Sequence, residues 1–90
     1  MKWFQNSFRR NLIDMHISDQ DERFLSEFSA EKYADCLAAA GVDTAIIYAG
    51  SCLGINYFET DKGYRHKNVA DRDIFGETVR ACRKKGLNIV

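Results

Sequence analysis

Proline is absent from this sequence, and no linker or low-complexity stretch interrupts it. Cysteine is scarce. Cys36, Cys52 and Cys82 make an odd set with no C-x-x-C spacing, which argues against a disulfide framework or a structural zinc site. Neither sign of charge dominates, since 13 basic residues balance 13 acidic ones. That leaves no basic stripe for nucleic acid and no acidic solvating tail. No apolar run approaches the ~20 residues of a membrane span. The first ten residues, which end in Arg9 and Arg10, lack the uninterrupted apolar core of a secretory signal. The cytoplasm is therefore the expected address, and no membrane partner, metal or cofactor is expected.

What is present is an alternation of strand and helix patterns. Trp3, Phe4 and Phe8 stand among polar residues, and the spacing of Phe4 and Phe8 predicts one face of a short helix. Leu12-Ile13-Asp14-Met15-His16-Ile17 reads as a first strand. Alternation would turn Ile13, Met15 and Ile17 to one face and Asp14 and His16 to the other. Ser29 can cap a helix with Glu31 in its first turn. That helix continues through Tyr33, Ala34, Leu37 and a run of alanines, the best helix formers, and Gly41 ends it. Thr44 to Ala49 is a nearly continuous apolar strand, as in a parallel sheet covered by helices.

Asp73 caps a second helix with a broad apolar stripe from Ile74 to Cys82. Arg83, Lys84 and Lys85 crowd its last turn, where cations favour the helix dipole. Gly86 closes it, and Leu87-Asn88-Ile89-Val90 opens a third strand. The joints around Gly41 and Gly86 resemble each other, at the place a repeating βα unit demands. Cys36 and Cys82 fall within the helical patterns and are expected to be small buried hydrophobes.

Strands alternating with helices imply a parallel α/β sheet with βαβαβ order. A nucleotide-binding open sheet would place a glycine-rich turn after its first strand. Here Ser18-Asp19-Gln20-Asp21-Glu22 follows instead. It has no glycine, and its three acids would repel a pyrophosphate. These acids read as a solvated loop, without the glycine-containing spacing of a calcium site.

In a parallel βα architecture, ligands bind at the carboxyl ends of the strands. Asp14 and His16 fall at one such end, roughly 7 Å apart at Cα by the strand rise. As an inward polar pair they could orient hydroxyl groups; the alternative is a buried histidine satisfied by Asp14 or by backbone. The long connection from Gly50 to about Arg72 falls at the next strand end. It holds Ser51, Cys52, Asn56, Tyr57, Phe58, Glu59 and Tyr64. Aromatic rings beside polar groups suit sugar recognition; the alternative is a loop whose aromatics pack on one another. Cys52 has no evident base or electropositive neighbour to make it a nucleophile. His66, among Arg65, Lys67 and Asn68, is expected to be exposed, and Arg72 and Asp73 to cap and position the second helix.

These residues also carry a family resemblance. Lys2-Trp3-Phe4, Ile13-Asp14-Met15-His16, and Arg72-Asp73-Ile74 leading to Ala81-Cys82-Arg83-Lys84-Lys85-Gly86-Leu87 resemble the start of alpha-L-fucosidase-like catalytic barrels. A group of hypothetical glycoside hydrolases is similar still more closely, over Asn11 to Asp19 and then Asp21-Glu22-Arg23-Phe24. The resemblance covers nearly all of the chain. It implies the first units of a TIM (β/α)8 barrel, with carbohydrate as the ligand class of the complete barrel. It also implies a sugar contact for His16, at the position of a histidine that closes the first strand in fucosidases.

After the second strand, fucosidases carry two histidines, an acid and a glycine. The matching positions here are Ser51, Cys52, Leu53 and Gly54. Both histidines are missing, so the resemblance does not carry fucose itself over. The nucleophile of fucosidase-like barrels follows the fourth strand and the acid comes later, so no catalytic residue is expected in this chain.

A complete barrel takes about 250 residues. The expectation is therefore a single incomplete domain over residues 1–90, inactive alone, whose substrate-binding residues are Asp14, His16, Ser51, Cys52 and Tyr57. The competing reading is a non-catalytic α/β interaction or dimerisation module that self-associates through its open sheet edges.

Overall fold

The computed structural model of the chain describes residues 3–15, 17, 23–50, 55–58, 64–67 and 72–90. After a single 3-10 turn at Trp3–Gln5, the element order is β1 (Arg10–Leu12), α1 (Ala30–Ala39), β2 (Thr44–Ile46), β3 (Ile55–Asn56), β4 (Tyr64–Arg65), α2 (Ile74–Lys84) and β5 (Asn88–Ile89). Strands β1, β2 and β5 form one sheet in that order. Both pairings are parallel, with Arg10 level with Thr44 and Thr44 level with Asn88. The βαβαβ reading of the sequence is the architecture found.

Both helices begin and end as their sequences dictate. The Ser29 hydroxyl accepts a hydrogen bond from the Lys32 amide at 3.2 Å, and the Asp73 carboxylate accepts one from the Gly76 amide at 2.9 Å. Each satisfies an amide that the first helical turn leaves without an intrahelical partner. Ala30, Ala34 and Leu37 are the buried residues of α1, and Ile74, Thr78 and Cys82 those of α2. Both sets fall on one helical stripe.

At the far ends, Gly41 and Gly86 take φ of +78° and +75°, where a side chain would be strained. The amide of Gly41 bonds to Ala38 and that of Val42 to Leu37. Gly86 bonds to Arg83 and Leu87 to Cys82 in the same pattern. Each joint is thus a Schellman turn, with an apolar residue after the glycine folding back on the last helical turn. The repeat seen in sequence is a repeat in hydrogen bonding.

The core has two parts. Ala34, Leu37, Ala45, Cys82 and Leu87 pack between the helices and one face of the sheet. Met15, Tyr57 and Ile74 form a second cluster at the carboxyl ends of the strands, flanked by Ile17, Leu25, Phe28 and Tyr48. Tyr33 touches both clusters, and burial pushes its phenol pKa up, with the Cys82 thiol adding to the effect.

Among the described residues, no α-helix lies on the opposite sheet face. Val90 donates to the Ala45 carbonyl and accepts from the Ile47 amide, which sets it level with Ile46, itself paired with Leu12. Leu12 and Val90 remain 46% and 62% exposed. An apolar level therefore crosses the three strands on the uncovered side.

Several expectations are corrected. The first strand lies at Arg10–Leu12, ahead of the predicted Leu12–Ile17. Its register is pinned from β2: the Asp43 carboxylate accepts the Ser7 hydroxyl and the amides of Phe8 and Arg9. This sets the polar residues 10 and 11 in the ladder and lets the apolar run beyond leave the sheet. Ile13 is consequently exposed while Met15 is buried, so the two do not share a face.

Phe4 and Phe8 do not share one either, because Phe8 lies beyond the 3-10 turn and is 85% exposed. Cys36 is exposed, being off the stripe of Ala30, Ala34 and Leu37. Cys82 is buried as expected, and burial pushes its thiol pKa up.

The Asp43 anchor has a pH signature. The Ser7 hydroxyl, followed by the Arg9 and Phe8 amides and the Thr44 hydroxyl, holds this carboxyl below its ordinary range against the opposing effect of burial. The unfolded carboxyl, near pKa ~3.9, takes up its proton first as pH falls. The stabilisation is therefore complete above that value and is lost as pH drops through the lower folded pKa. Asp43→Asn is expected to flatten the fall in urea midpoint below about pH 4. Parallel urea melts of both chains check this, and identical pH slopes would show that the anchor does not titrate there.

Candidate functional site

The parallel sheet points three strand ends the same way, and the Met15–Tyr57–Ile74 cluster lies under them. Residues 13–15 leave β1 there and residues 47–50 leave β2. Two pieces of the connection from Gly50 toward α2, residues 55–58 and 64–67, are described. Its strands β3 and β4 pair parallel, Ile55 with Tyr64 and Asn56 with Arg65, and Asn56 also bridges Gly50. This small second sheet is fastened to both neighbours of the connection. The Tyr57 amide donates to the Ala49 carbonyl, and the Phe75 amide donates to the Tyr57 carbonyl.

Of the expected sugar-binding residues, Asp14 is exposed on the exit of β1. His16, Ser51 and Cys52 lie outside the described residues. Tyr57 is placed otherwise than a surface contact would require. Its side chain is 0% exposed, and its hydroxyl donates to the Met15 carbonyl and accepts from the Ile17 amide. It supports the strand ends from beneath.

His66, expected on the surface, is fully buried. Its amide is held by the Asn56 carbonyl at 2.9 Å, and its ring lies 6.0 Å from that of Tyr57. Phe58 packs near Phe75 at 6.3 Å. Of the described aromatics of this connection, Tyr57 is buried and Phe58 is half-buried beside α2.

One link was not anticipated in full. Arg72 precedes α2 and pairs with Glu77 at 3.0 Å, and its guanidinium also donates to the Phe28 carbonyl at 3.2 Å. It thereby ties the start of α2 to the segment entering α1. The legible signal was the Asp73 cap beside it; the reach to Phe28 is tertiary.

A cavity of about 390 Å³ lies elsewhere, between α1 and α2, with Ala30, Ala34, Glu77, Arg80 and Lys84 in its walls. It includes no strand-end residue, whereas ligands of parallel βα folds bind at the strand ends. Beside it, Lys85 meets Asp35 at 2.6 Å on the surface. Exposed pairs of this kind contribute little to stability.

Chemically, the described strand ends combine an exposed Asp14 with a neighbouring apolar, hydrogen-bonded cluster. Such a surface can accept hydroxyl groups. Glycoside hydrolysis needs a second carboxyl group about 5–9.5 Å away across the scissile bond, and Glu77 is occupied by Arg72. Among the described residues, no group of three His, Cys, Asp or Glu side chains could hold a metal ion, and no helix is long and apolar enough to cross a membrane.

Comparison with known proteins agrees with this architecture. Alpha-L-fucosidase isoenzyme 2 from Paenibacillus thiaminolyticus superposes with a TM-score of 0.81 at 22% identity, over 92% of this chain and 12% of that one. At that identity the likeness shows the fold, and this chain spans only a small part of the fucosidase's length. No curated protein matches. The family described as hypothetical glycosyl hydrolase 6 matches residues 29–90, from the Ser29 cap through both Schellman joints to the last strand. By that match the chain belongs to the hypothetical glycosyl hydrolase 6 family.

Proposed function

We propose that this chain supplies the first βα units of a carbohydrate-active (β/α)8 barrel and carries part of its sugar-binding face. Asp14, His16, Ser51 and Cys52 would meet the sugar, and Tyr57 would hold the strand ends that bear them. The observation that carries this reading is the parallel β1-β2-β5 sheet, with the exits of β1 and β2 resting on one apolar cluster. Hydrolysis is assigned to carboxylates outside these residues, because none of the positions resembling fucosidases here is a nucleophile or acid position.

The expected outcome is a blank panel of aryl glycosides with the purified chain. Monosaccharides should nevertheless give saturable amide shifts at Asp14 and Ile47–Ala49 by NMR. Clear turnover would overturn the assignment of hydrolysis elsewhere, and unmoved strand-end amides would overturn the sugar face.

One observation favours a second reading, a module that pairs with another chain: the uncovered apolar level of Leu12, Ile46 and Val90. Concentration-dependent dimers in sedimentation at micromolar concentration would support it, and a monomer would count against it.

A further inference from the structure

We propose that Tyr57 is a positioning residue for the sugar face, locking the exit of β1 to the connection that follows β2. The inference rests on the reading of the strand ends as that face. Backbone groups of four described segments converge on this one residue through hydrogen bonds. Its hydroxyl grips the Met15 carbonyl and the Ile17 amide, on either side of position 16. Its own amide holds Ala49 at the exit of β2, at 2.9 Å, and its carbonyl holds Phe75 in the first turn of α2, at 3.1 Å.

The ring is fully buried against Met15 and Ile74, so the hydroxyl is carried by a body that cannot swing. A phenol can donate once and accept as well, and here both capacities are spent on the backbone of one strand exit. Phenylalanine would preserve the ring packing and abolish both contacts. The chemistry of this position is thus separable from its contribution to the core.

The test is Tyr57→Phe in the 15N-labelled chain. With the hydroxyl gone, the Ile17 amide is expected to exchange roughly tenfold faster. The Val90 amide, bonded to Ala45 within the main sheet, should accelerate less than Ile17, and the urea midpoint should fall by less than loss of the whole ring would cause. Titration with L-fucose and with D-galactose as probes should show affinity weakened by a similar factor in the variant.

Ile17 protection unchanged by the substitution, or lost only in step with Val90, overturns the lock. Equal sugar affinity in the two chains overturns the positioning role. If the unsubstituted chain responds to neither sugar, the sugar-face reading fails, and the exchange rates at Ile17 and Val90 still decide whether Tyr57 sets the strand exit.

Discussion

Tyr57→Ala is expected to remove about 3–5 kcal/mol of stability, the range for deleting a buried aromatic ring. The ring is fully enclosed and packs where three segments meet: the exit of β1 through Met15, the start of α2 through Ile74, and its own connection. Truncation leaves a cavity there. It also strands the Met15 carbonyl and the Ile17 amide, and a buried group left unpaired costs about 1–3 kcal/mol where water cannot reach it. A chain of this size has roughly 5–13 kcal/mol in total, at ~0.05–0.15 kcal/mol per residue. The variant should therefore lose a large part of its urea midpoint, measured by far-UV circular dichroism. A loss below about 1 kcal/mol would show that the cluster collapses around the gap. Compared with Tyr57→Phe, this substitution separates the weight of the ring from the work of its hydroxyl.

Leu37→Ala is expected to cost about 2–5 kcal/mol, by a different route. Leu37 is buried in the cluster that joins both helices to β2 and β5, and its carbonyl receives the Val42 amide in the first Schellman joint. Removing its side chain empties the space between the helices and the sheet. It also removes the apolar partner against which Val42 folds back. The consequence should be global: amide exchange at Ile47 and Val90 should accelerate together with that of the helices, in step with the fall in urea midpoint. Preserved sheet protection beside faster helix exchange would mean that the helices detach from the sheet before it opens.

The parts of the fold that were legible in the sequence are those fixed by neighbours along the chain. Ser29, Asp73, Gly41 and Gly86 each act within a few residues of themselves, and the structure uses each as its local chemistry requires. The stripe of α2 was legible because three turns of helix repeat it.

The register of β1 was not, because it is decided by Asp43, whose carboxylate reaches back to Ser7, Phe8 and Arg9. The pattern of Leu12 to Ile17 is genuinely apolar at alternate positions, yet Met15 and Ile17 serve the strand-end cluster rather than the ladder. His66 was misjudged for a related reason. Its polar neighbours in sequence say nothing about β3, which draws its amide inward to Asn56. Tyr57, read from the connection as a sugar contact, is buried. The aromatic composition that drew attention to it could not distinguish a ring offered to a ligand from a ring holding a backbone in place.

The two Schellman joints close their hydrogen bonds within residues 37–42 and 82–87, so neither waits for a distant strand before it can form. Chains emerge from the ribosome at about 5–20 residues per second, whereas helical turns settle in well under a millisecond. Each joint can thus set the exit direction of its helix as that helix forms, without waiting for the strand it feeds to pair. The parallel sheet, whose long-range pairings are slow to find at random, is instead presented with its strands already aimed, one unit at a time.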